Sequence, residues 1–125
     1  MTIYLAGKFS ARERLRPIRD RLVGLGYKVN STWIDADLTV SYSSDWGTRY
    51  EAIRDTSEIS KADWFILDTL DENVTGGREV ELGMAYMMNK RITIVGPNRN
   101  IFHNLTQEHC QSWEEFFTIT KESEV

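Results

Sequence analysis

Short apolar segments alternate along this chain with longer segments whose apolar residues recur at helical spacing. The apolar segments are rich in β-branched and aromatic residues, as buried strands are. Four of them are present, at residues 2–7, 27–30, 63–69 and 91–96. Strands that alternate with helices predict an α/β fold, in which a mostly parallel sheet is covered by helices on both faces.

The segment at residues 11–25 is the first predicted helix. Its leucines and isoleucine recur at helical spacing, and Gly26 ends it. Ser10 and Glu13 stand at its start with the spacing of a capping box. Pro17 lies inside the segment, so we expect either a kink at the proline or a first turn that is a separate element.

Three further helices are predicted, at residues 47–61, at 75–90 and from 112–117 onward. The last of them has Ser112 as its cap and Glu115 at capping-box spacing. Residues 31–46 show no clear period and form the longest candidate loop, and long loops in compact domains are often functional. Residues 97–106 are predicted to be a loop or a short helix.

Length, composition and charge limit the class of protein. The 125 residues suffice for a single domain, and no apolar run reaches the roughly 20 residues of a membrane span. The single cysteine, Cys110, excludes an internal disulfide and indicates the cytoplasm. Because Asp and Glu outnumber Lys and Arg by 19 to 15, we expect neither polymeric nucleic acid nor an anionic membrane as a partner.

The carboxyl ends of the predicted strands mark the expected binding site. Ligands of open parallel sheets bind outside these ends, where the strand order reverses. The ends fall at residues 7–10, 68–75 and 96–98. The helix at residues 75–90 begins on this rim and carries Glu79 and Glu81, which point to nearly opposite sides because they are two residues apart.

Glu81 lies within the first two turns of that helix. The positive end of a helix favours an ionised carboxylate, and an ionised, fixed carboxylate can act as a nucleophile. The alternative interpretation is that Glu79 and Glu81 are both solvated acids at the start of a helix. The spacing alone favours this second interpretation.

Motifs for several other chemistries are missing from the sequence. There is neither a G-x-G-x-x-G nor a G-x-x-x-x-G-K-[ST] pattern, so dinucleotide and Walker-type phosphate sites are not expected. His103, His109 and Cys110 do not have the spacing of zinc ligands. No G-x-S-x-G elbow supports a Ser-His-Asp triad. We therefore expect no metal and no cofactor.

Three stretches of the sequence form a recognisable set: IYLAGKF at residues 3–9, RYEAIRDTSEISKADWFILD at 49–68 and TGGREVELGMAYMMNKRITIVGP at 75–97. Together they resemble the nucleoside 2-deoxyribosyltransferase family, which includes the 2'-deoxynucleoside 5'-monophosphate N-glycosidases. The resemblance covers roughly residues 2–105. It implies one domain over residues 1–125 with a flavodoxin-like (Rossmann-like) fold, a three-layer sandwich around a mostly parallel sheet.

The resemblance also implies three catalytic residues. The glutamate that precedes L-G-x-A, which is Glu81 here, is the family's nucleophile and attacks the anomeric carbon of the sugar. Tyr4 matches the strand tyrosine that orients this carboxylate. Asp55 matches the aspartate that positions or protonates the departing base. Without the resemblance, Tyr4 reads equally well as a core aromatic residue and Asp55 as a solvated helix acid.

A phosphate pocket is implied at the start of the same helix. Thr75 stands where the family's transferases carry an aspartate and its monophosphate N-glycosidases a small hydroxyl residue. Thr75 with the amides of Gly76 and Gly77 suits an anion at a helix N-terminus. The loop after the first strand would add Gly7, Lys8, Ser10, Arg12 and Arg14. The alternative for this basic loop is a solvated helix start.

Further positions around the site follow from the same resemblance. Trp33 would stack on the base or, equally well, pack in the core. His103 and Asn104 belong to the segment that in the family reaches into a neighbouring subunit's site. A homodimer or a larger homo-oligomer is therefore implied.

Together these observations predict a cytoplasmic enzyme that acts on a small-molecule nucleotide or nucleoside. We expect it to cleave the N-glycosidic bond of a (deoxy)nucleoside 5'-monophosphate, with water as the acceptor. The first alternative is a deoxyribosyltransferase that exchanges bases between deoxynucleosides. The second is a non-catalytic module that binds or senses nucleotides.

Overall fold

The computed structural model describes residues 1–36, 45–72 and 76–123, without the side chains of residues 45–48 and 121–123. These residues form five strands and four α-helices. The strands are β1 (Thr2–Ala6), β2 (Lys28–Val29), β3 (Trp64–Asp68), β4 (Arg91–Val95) and β5 (His109–Cys110). The helices are α1 (Arg12–Gly24), α2 (Asp45–Lys61), α3 (Gly77–Met87) and α4 (Trp113–Ser123).

The strands form one parallel sheet in the order β2-β1-β3-β4-β5. This is the doubly wound order of flavodoxin-like folds, and the strand order reverses between β1 and β3. In the register, Ile3 of β1 lies beside Trp64 of β3, and Trp64 lies beside Arg91 of β4. The predicted α/β fold with a parallel sheet is confirmed.

The helices lie in two pairs. In one pair, the guanidinium of Arg21 in α1 lies 4.0 Å from the ring centre of Phe117 in α4. In the other pair, the hydroxyl of Thr56 in α2 lies 3.7 Å from the sulfur of Met84 in α3. All five residues of β3 are buried, because the central strands of such a sheet are covered on both faces. None of the described helices has the length and apolarity needed to cross a membrane.

The start of α1 differs from the prediction. A short 3₁₀ turn at Phe9–Ala11 precedes the helix, and Ala11 occupies the cap position without a side-chain hydrogen bond. The predicted capping box of Ser10 and Glu13 is therefore wrong. The helix continues through Pro17 to Gly24, so the proline does not divide it.

Both ends of the predicted loop at residues 31–46 belong to regular elements. Residues Thr32–Asp35 form a 3₁₀ turn, which we call the Trp33 turn, and both Trp33 and Ile34 are buried there. Residues 37–44 lie outside the described residues, and α2 already begins at Asp45.

The last third of the chain is close to the prediction, with one element missed. A 3₁₀ turn at Ile101–Leu105 confirms the predicted short helix. At the start of α4, Ser112 Oγ accepts the Glu115 amide at 3.1 Å, which confirms the cap. Strand β5 was not predicted, because two residues are too few to show a period.

Candidate active site

A cavity of about 560 Å³ opens where β1 ends and α3 begins. This is the position at which the strand order reverses, and the volume is in the range of small-molecule sites. Several residues singled out in the sequence line it together. They are Gly7, Lys8, Ser10, Trp33, Asp55, Gly77 and Glu81.

Tyr4 fixes the carboxylate of Glu81. The tyrosine is fully buried in β1, and its ring stacks on Phe65 with centroids 5.8 Å apart. Its hydroxyl donates a hydrogen bond to Glu81 Oε2. Burial, with a smaller contribution from the charge of Glu81, raises the pKa of Tyr4 well above its ordinary value. The phenol therefore remains a hydrogen-bond donor and holds one oxygen of Glu81 in place.

Glu81 is not the readily ionised acid that its place in the helix suggested. Burial raises the pKa of Glu81 to about 7, the Tyr4 hydrogen bond opposes this shift, and the charges of Asp55 and Glu58 add to it. The favourable effect of the helix N-terminus is thus outweighed by desolvation. Glu81 changes its protonation state close to neutral pH.

Asp55 is the second carboxyl group at the cavity. Burial raises its pKa to about 7, Arg54 lowers the pKa, and Glu58 and Glu51 raise it. Its Oδ1 is buried and has no hydrogen-bond partner within the described part of the chain. We call Asp55 and Glu81 the carboxyl pair. Since both carboxyl groups have a pKa of about 7 and the charge of Asp55 disfavours ionisation of Glu81, the pair can hold one proton and one negative charge at the same time.

Two arginines of the predicted phosphate pocket are engaged elsewhere. Arg14 binds the fully buried Asp68 through two contacts of 2.9 Å and Asp71 through one of 2.6 Å. Trp113 completes this network, because its indole N–H donates to Asp68 at 2.7 Å. Arg12 lies over the ring of Phe9 at 4.1 Å and donates to the Phe9 carbonyl at 3.0 Å. Neither guanidinium lines the cavity, so their expected role in binding phosphate is not supported.

The start of α3 is only partly described. Gly76 has a φ of 98°, in the left-handed region, and is the residue from which the helix begins. Gly77 lines the cavity and Gly76 does not. Thr75 lies outside the described residues.

His103 and Asn104 do not line the cavity of their own subunit. His103 is fully buried. Its Nδ1 accepts the Arg99 amide at 3.0 Å, so Nε2 carries the proton that faces the two Glu79 oxygens at 3.1 and 3.0 Å. Asn104 accepts a hydrogen bond from Asn98 at 3.0 Å. Burial keeps the imidazole of His103 from a neighbouring subunit's site, so its predicted role there is not supported. Asn104 is exposed, and its role in such a site stays a prediction.

Glu79 and Glu81 face different surroundings, as their spacing predicts. Glu79 binds His103 and also accepts from Nε of Arg78 at 3.2 Å. It is therefore a partner of buried groups and not a solvated acid.

Trp33 belongs to both the core and the cavity wall. Only 4 % of its surface is exposed, and its indole N–H donates to the Leu5 carbonyl at 2.8 Å. The packing role is thus observed. Stacking on a base remains a prediction, since the ring also borders the cavity.

Six cavity residues were not identified from the sequence, namely Phe9, Ala52, Thr56, Arg78, Val80 and Met84. Helical spacing from the carboxyl pair offered a signal for some of them, because Ala52 precedes Asp55 by three residues and Met84 follows Glu81 by three. Arg78 is the most informative omission. Its guanidinium is buried and donates to the carbonyls of Asp68 and Asp71, at 3.5 and 3.2 Å.

Solved structures with the same fold include three enzymes. A 2-deoxyribosyltransferase from the psychrotolerant bacterium Bacillus psychrosaccharolyticus is 21% identical with a TM-score of 0.77, over 93% of this chain and 90% of that one. The CMP N-glycosidase BcmB of Clostridium botulinum is 17% identical with a TM-score of 0.67, and the match covers 97% of this chain and 99% of that one. A 2-desoxiribosyltransferase from Leishmania mexicana is 18% identical with a TM-score of 0.59, and the match covers 78% of this chain and 65% of that one.

At sequence identities this low, the structural similarity to these proteins confirms the fold of this chain. No protein-family model matches the chain, and no curated protein sequence matches it significantly.

Proposed function

We propose that this protein cleaves the N-glycosidic bond of a (deoxy)nucleoside 5'-monophosphate and releases free base and sugar phosphate. The carboxyl pair carries the proposal. One member, Glu81, is held by Tyr4 at the cavity, and the pKa of each carboxyl is raised to about 7. Paired carboxyls that differ in protonation are the machinery of glycosidic bond cleavage.

The proposed reaction has two displacements at the anomeric carbon. In the first, ionised Glu81 forms a bond to this carbon while the bond to the base breaks, and protonated Asp55 gives its proton to the departing base. In the second, water attacks the same carbon, Asp55 takes a proton from the water, and the bond to Glu81 breaks. Tyr4 keeps the attacking oxygen in place through both steps.

Another part of the cavity lining suits a phosphate. Lys8 lines it beside Gly77, the first residue of α3, and the buried Arg78, whose guanidinium already has partners, adds a positive charge to the same lining. A helix N-terminus with nearby cations favours an anion. The cavity thus has acidic groups for the glycosidic bond and basic groups for a 5'-phosphate.

Release of free base from a panel of nucleosides and monophosphates tests the function directly. Transfer is the second candidate, since two of the enzymes with this fold are deoxyribosyltransferases. A second free base in the assay separates the two, because transfer yields a new nucleoside and hydrolysis yields the sugar phosphate. Tight binding of a monophosphate without any base release would instead indicate a sensing module.

The first expected result is a preference for 5'-monophosphates over their nucleosides. One charge-assisted hydrogen bond to phosphate contributes ~1.5–3 kcal/mol, so we expect kcat/KM to be at least about tenfold higher for the monophosphate. Lys8→Met should reduce this ratio, while its kcat/KM for the nucleoside should change little. Equal kcat/KM for both substrates in the wild type would contradict the phosphate assignment.

We also propose that the working unit is a homodimer or larger. Apolar side chains are exposed on α2 and α3 beside the cavity, with Ile53 57 % exposed, Val80 60 % and Met87 78 %. Val80 also lines the cavity, so a partner that covers this surface would narrow the cavity mouth.

The oligomeric state can be measured by size-exclusion chromatography with light scattering. Met87→Glu is expected to shift the protein toward monomer and to lower activity, because a charge opposes burial of this surface. Val23→Glu is the matched control, since Val23 is an exposed apolar residue (50 %) that lies on α1. A fully active monomer at assay concentration would refute the proposal.

We place the protein in the cytoplasm. Its single cysteine, Cys110, is a buried free thiol. Such a thiol is typical of a reducing compartment.

A further inference from the structure

One acidic residue outside the cavity lining, Glu58, makes unusual contacts. It lies on α2, three residues after Asp55. Its Oε1 accepts the backbone N–H of Thr32 at 3.1 Å, and its Oε2 accepts the Thr32 hydroxyl at 2.7 Å. Its carbonyl accepts the side-chain amide of Asn30 at 2.8 Å. Three hydrogen bonds thus join the segment before the Trp33 turn to a single residue of α2.

These contacts cap the Trp33 turn from outside. Thr32 is the first residue of the turn, and Ser31 before it makes no side-chain cap bond. The Glu58 carboxylate therefore satisfies one of the backbone N–H groups that lack a partner at the start of the turn. The Trp33 turn holds the indole ring of Trp33 at the cavity wall. The centroid of this ring lies 6.2 Å from the centroid of the Phe9 ring, which also lines the cavity.

The same carboxylate acts electrostatically on the reacting groups. Its charge raises the pKa of both members of the carboxyl pair and of Tyr4. Other charged or titratable groups face the pair from each element around it. They are Tyr4 of β1, Lys8 after β1, Glu51 and Arg54 of α2, and Arg78 of α3.

We infer that Glu58 is a positioning residue of the reaction, which holds the Trp33 turn at the cavity wall and places a negative charge behind the carboxyl pair. The inference rests on the proposed function for its catalytic meaning. The contacts with Thr32 and the charge are separate properties of one side chain. They can therefore be removed separately.

Three variants separate the two properties. Glu58→Gln keeps an acceptor for Thr32 but removes the charge, so the pH optimum of base release should move to lower pH by about half a unit with KM little changed. Thr32→Val removes one hydrogen bond and keeps the charge, so KM should rise while the pH optimum stays. Glu58→Ala should show both effects.

Two spectroscopic readouts do not depend on turnover. Fluorine NMR of protein labelled with 5-fluorotryptophan reports on Trp33, whose signal is assigned with Trp33→Phe. It should shift in Glu58→Ala and stay in place in Glu58→Gln. Carbon NMR of the carboxyl groups should show Asp55 and Glu81 titrating at lower pH in Glu58→Gln.

The matched control is Glu114→Gln, which removes an exposed carboxylate from α4. It should leave the pH optimum, KM and both spectra as in the wild type. Carboxyl titrations in Glu58→Gln that equal those of the wild type, or an unmoved Trp33 signal in Glu58→Ala, would overturn the inference. A wild type that releases no base would overturn only the proposed function, because the two spectra still decide the role of Glu58.

Discussion

Glu81→Gln should abolish measurable base release while the fold is retained. An amide is too weak a nucleophile to form the bond to the anomeric carbon, and loss of the nucleophile in covalent enzymes costs on the order of 10⁴-fold or more in kcat. Chromatography of free base over a long incubation measures the loss. Glutamine still offers an oxygen to the Tyr4 hydroxyl, so the local structure should be kept.

Unfolding cannot explain such a loss, and the pH dependence of stability shows why. The pKa of Glu81 is raised from 4.5 to about 7 in the folded protein, so the folded state holds this proton more tightly than the unfolded chain. The tighter binding of this proton stabilises the folded state. This stabilisation is fully present below pH 4.5 and is lost as the pH rises through about 7. Glu81→Gln should therefore unfold at a higher temperature than the wild type at pH 8, with a smaller difference at pH 5.

Glu79→Gln is the matched control on the same helix. This residue contacts His103 and Arg78, so the substitution should lower the unfolding temperature while base release is largely retained. A 2-fluoro-2-deoxyribosyl substrate should slow the second displacement and leave the sugar on the protein. Peptide mass spectrometry should place the added mass on Glu81. A label on Glu79, or wild-type activity of Glu81→Gln, would show that the nucleophile is misassigned.

Asp55→Asn should have the second-largest effect. Loss of a general acid typically costs 10²–10⁴-fold, which we expect in kcat for bases that must be protonated as they leave. A 7-methylguanine nucleotide carries its positive charge already and leaves without a proton. Its first displacement should therefore be much less sensitive to Asp55→Asn, as measured by the burst of base release in rapid mixing. An equal loss with both kinds of base would assign Asp55 to binding alone.

The sequence was informative where one segment sufficed to determine the local structure. The long apolar runs of β3 and β4 and the cap at Ser112 are local patterns, and the structure agrees with them. Trp33 was ambiguous, because its burial depends on where the chain returns to the sheet. The raised pKa of Glu81 could not be predicted either, since the helix position argues for the opposite direction and only the packed structure shows the desolvation.

Pairings between distant residues account for most of the remaining differences. Arg14 was expected to bind phosphate, but it pairs with Asp68, which is 54 positions away in the sequence. His103 was expected to reach a neighbouring subunit's site, whereas the fold buries it against Glu79. No periodicity in the sequence encodes such contacts, because they follow from the order of strands in the sheet.

The buried network around Asp68 has a consequence for how the chain reaches its native state. This carboxylate receives hydrogen bonds from Arg14, from the Leu70 amide and from Trp113. A buried charge that lacks one of its partners is costly, by several kcal/mol in severe cases. On the ribosome, the buried Asp68 lacks one of its hydrogen-bond donors until Trp113 has left the exit tunnel. The first and last of the described helices are thereby bound to one all-or-none transition, and the domain becomes native only after Trp113 has emerged.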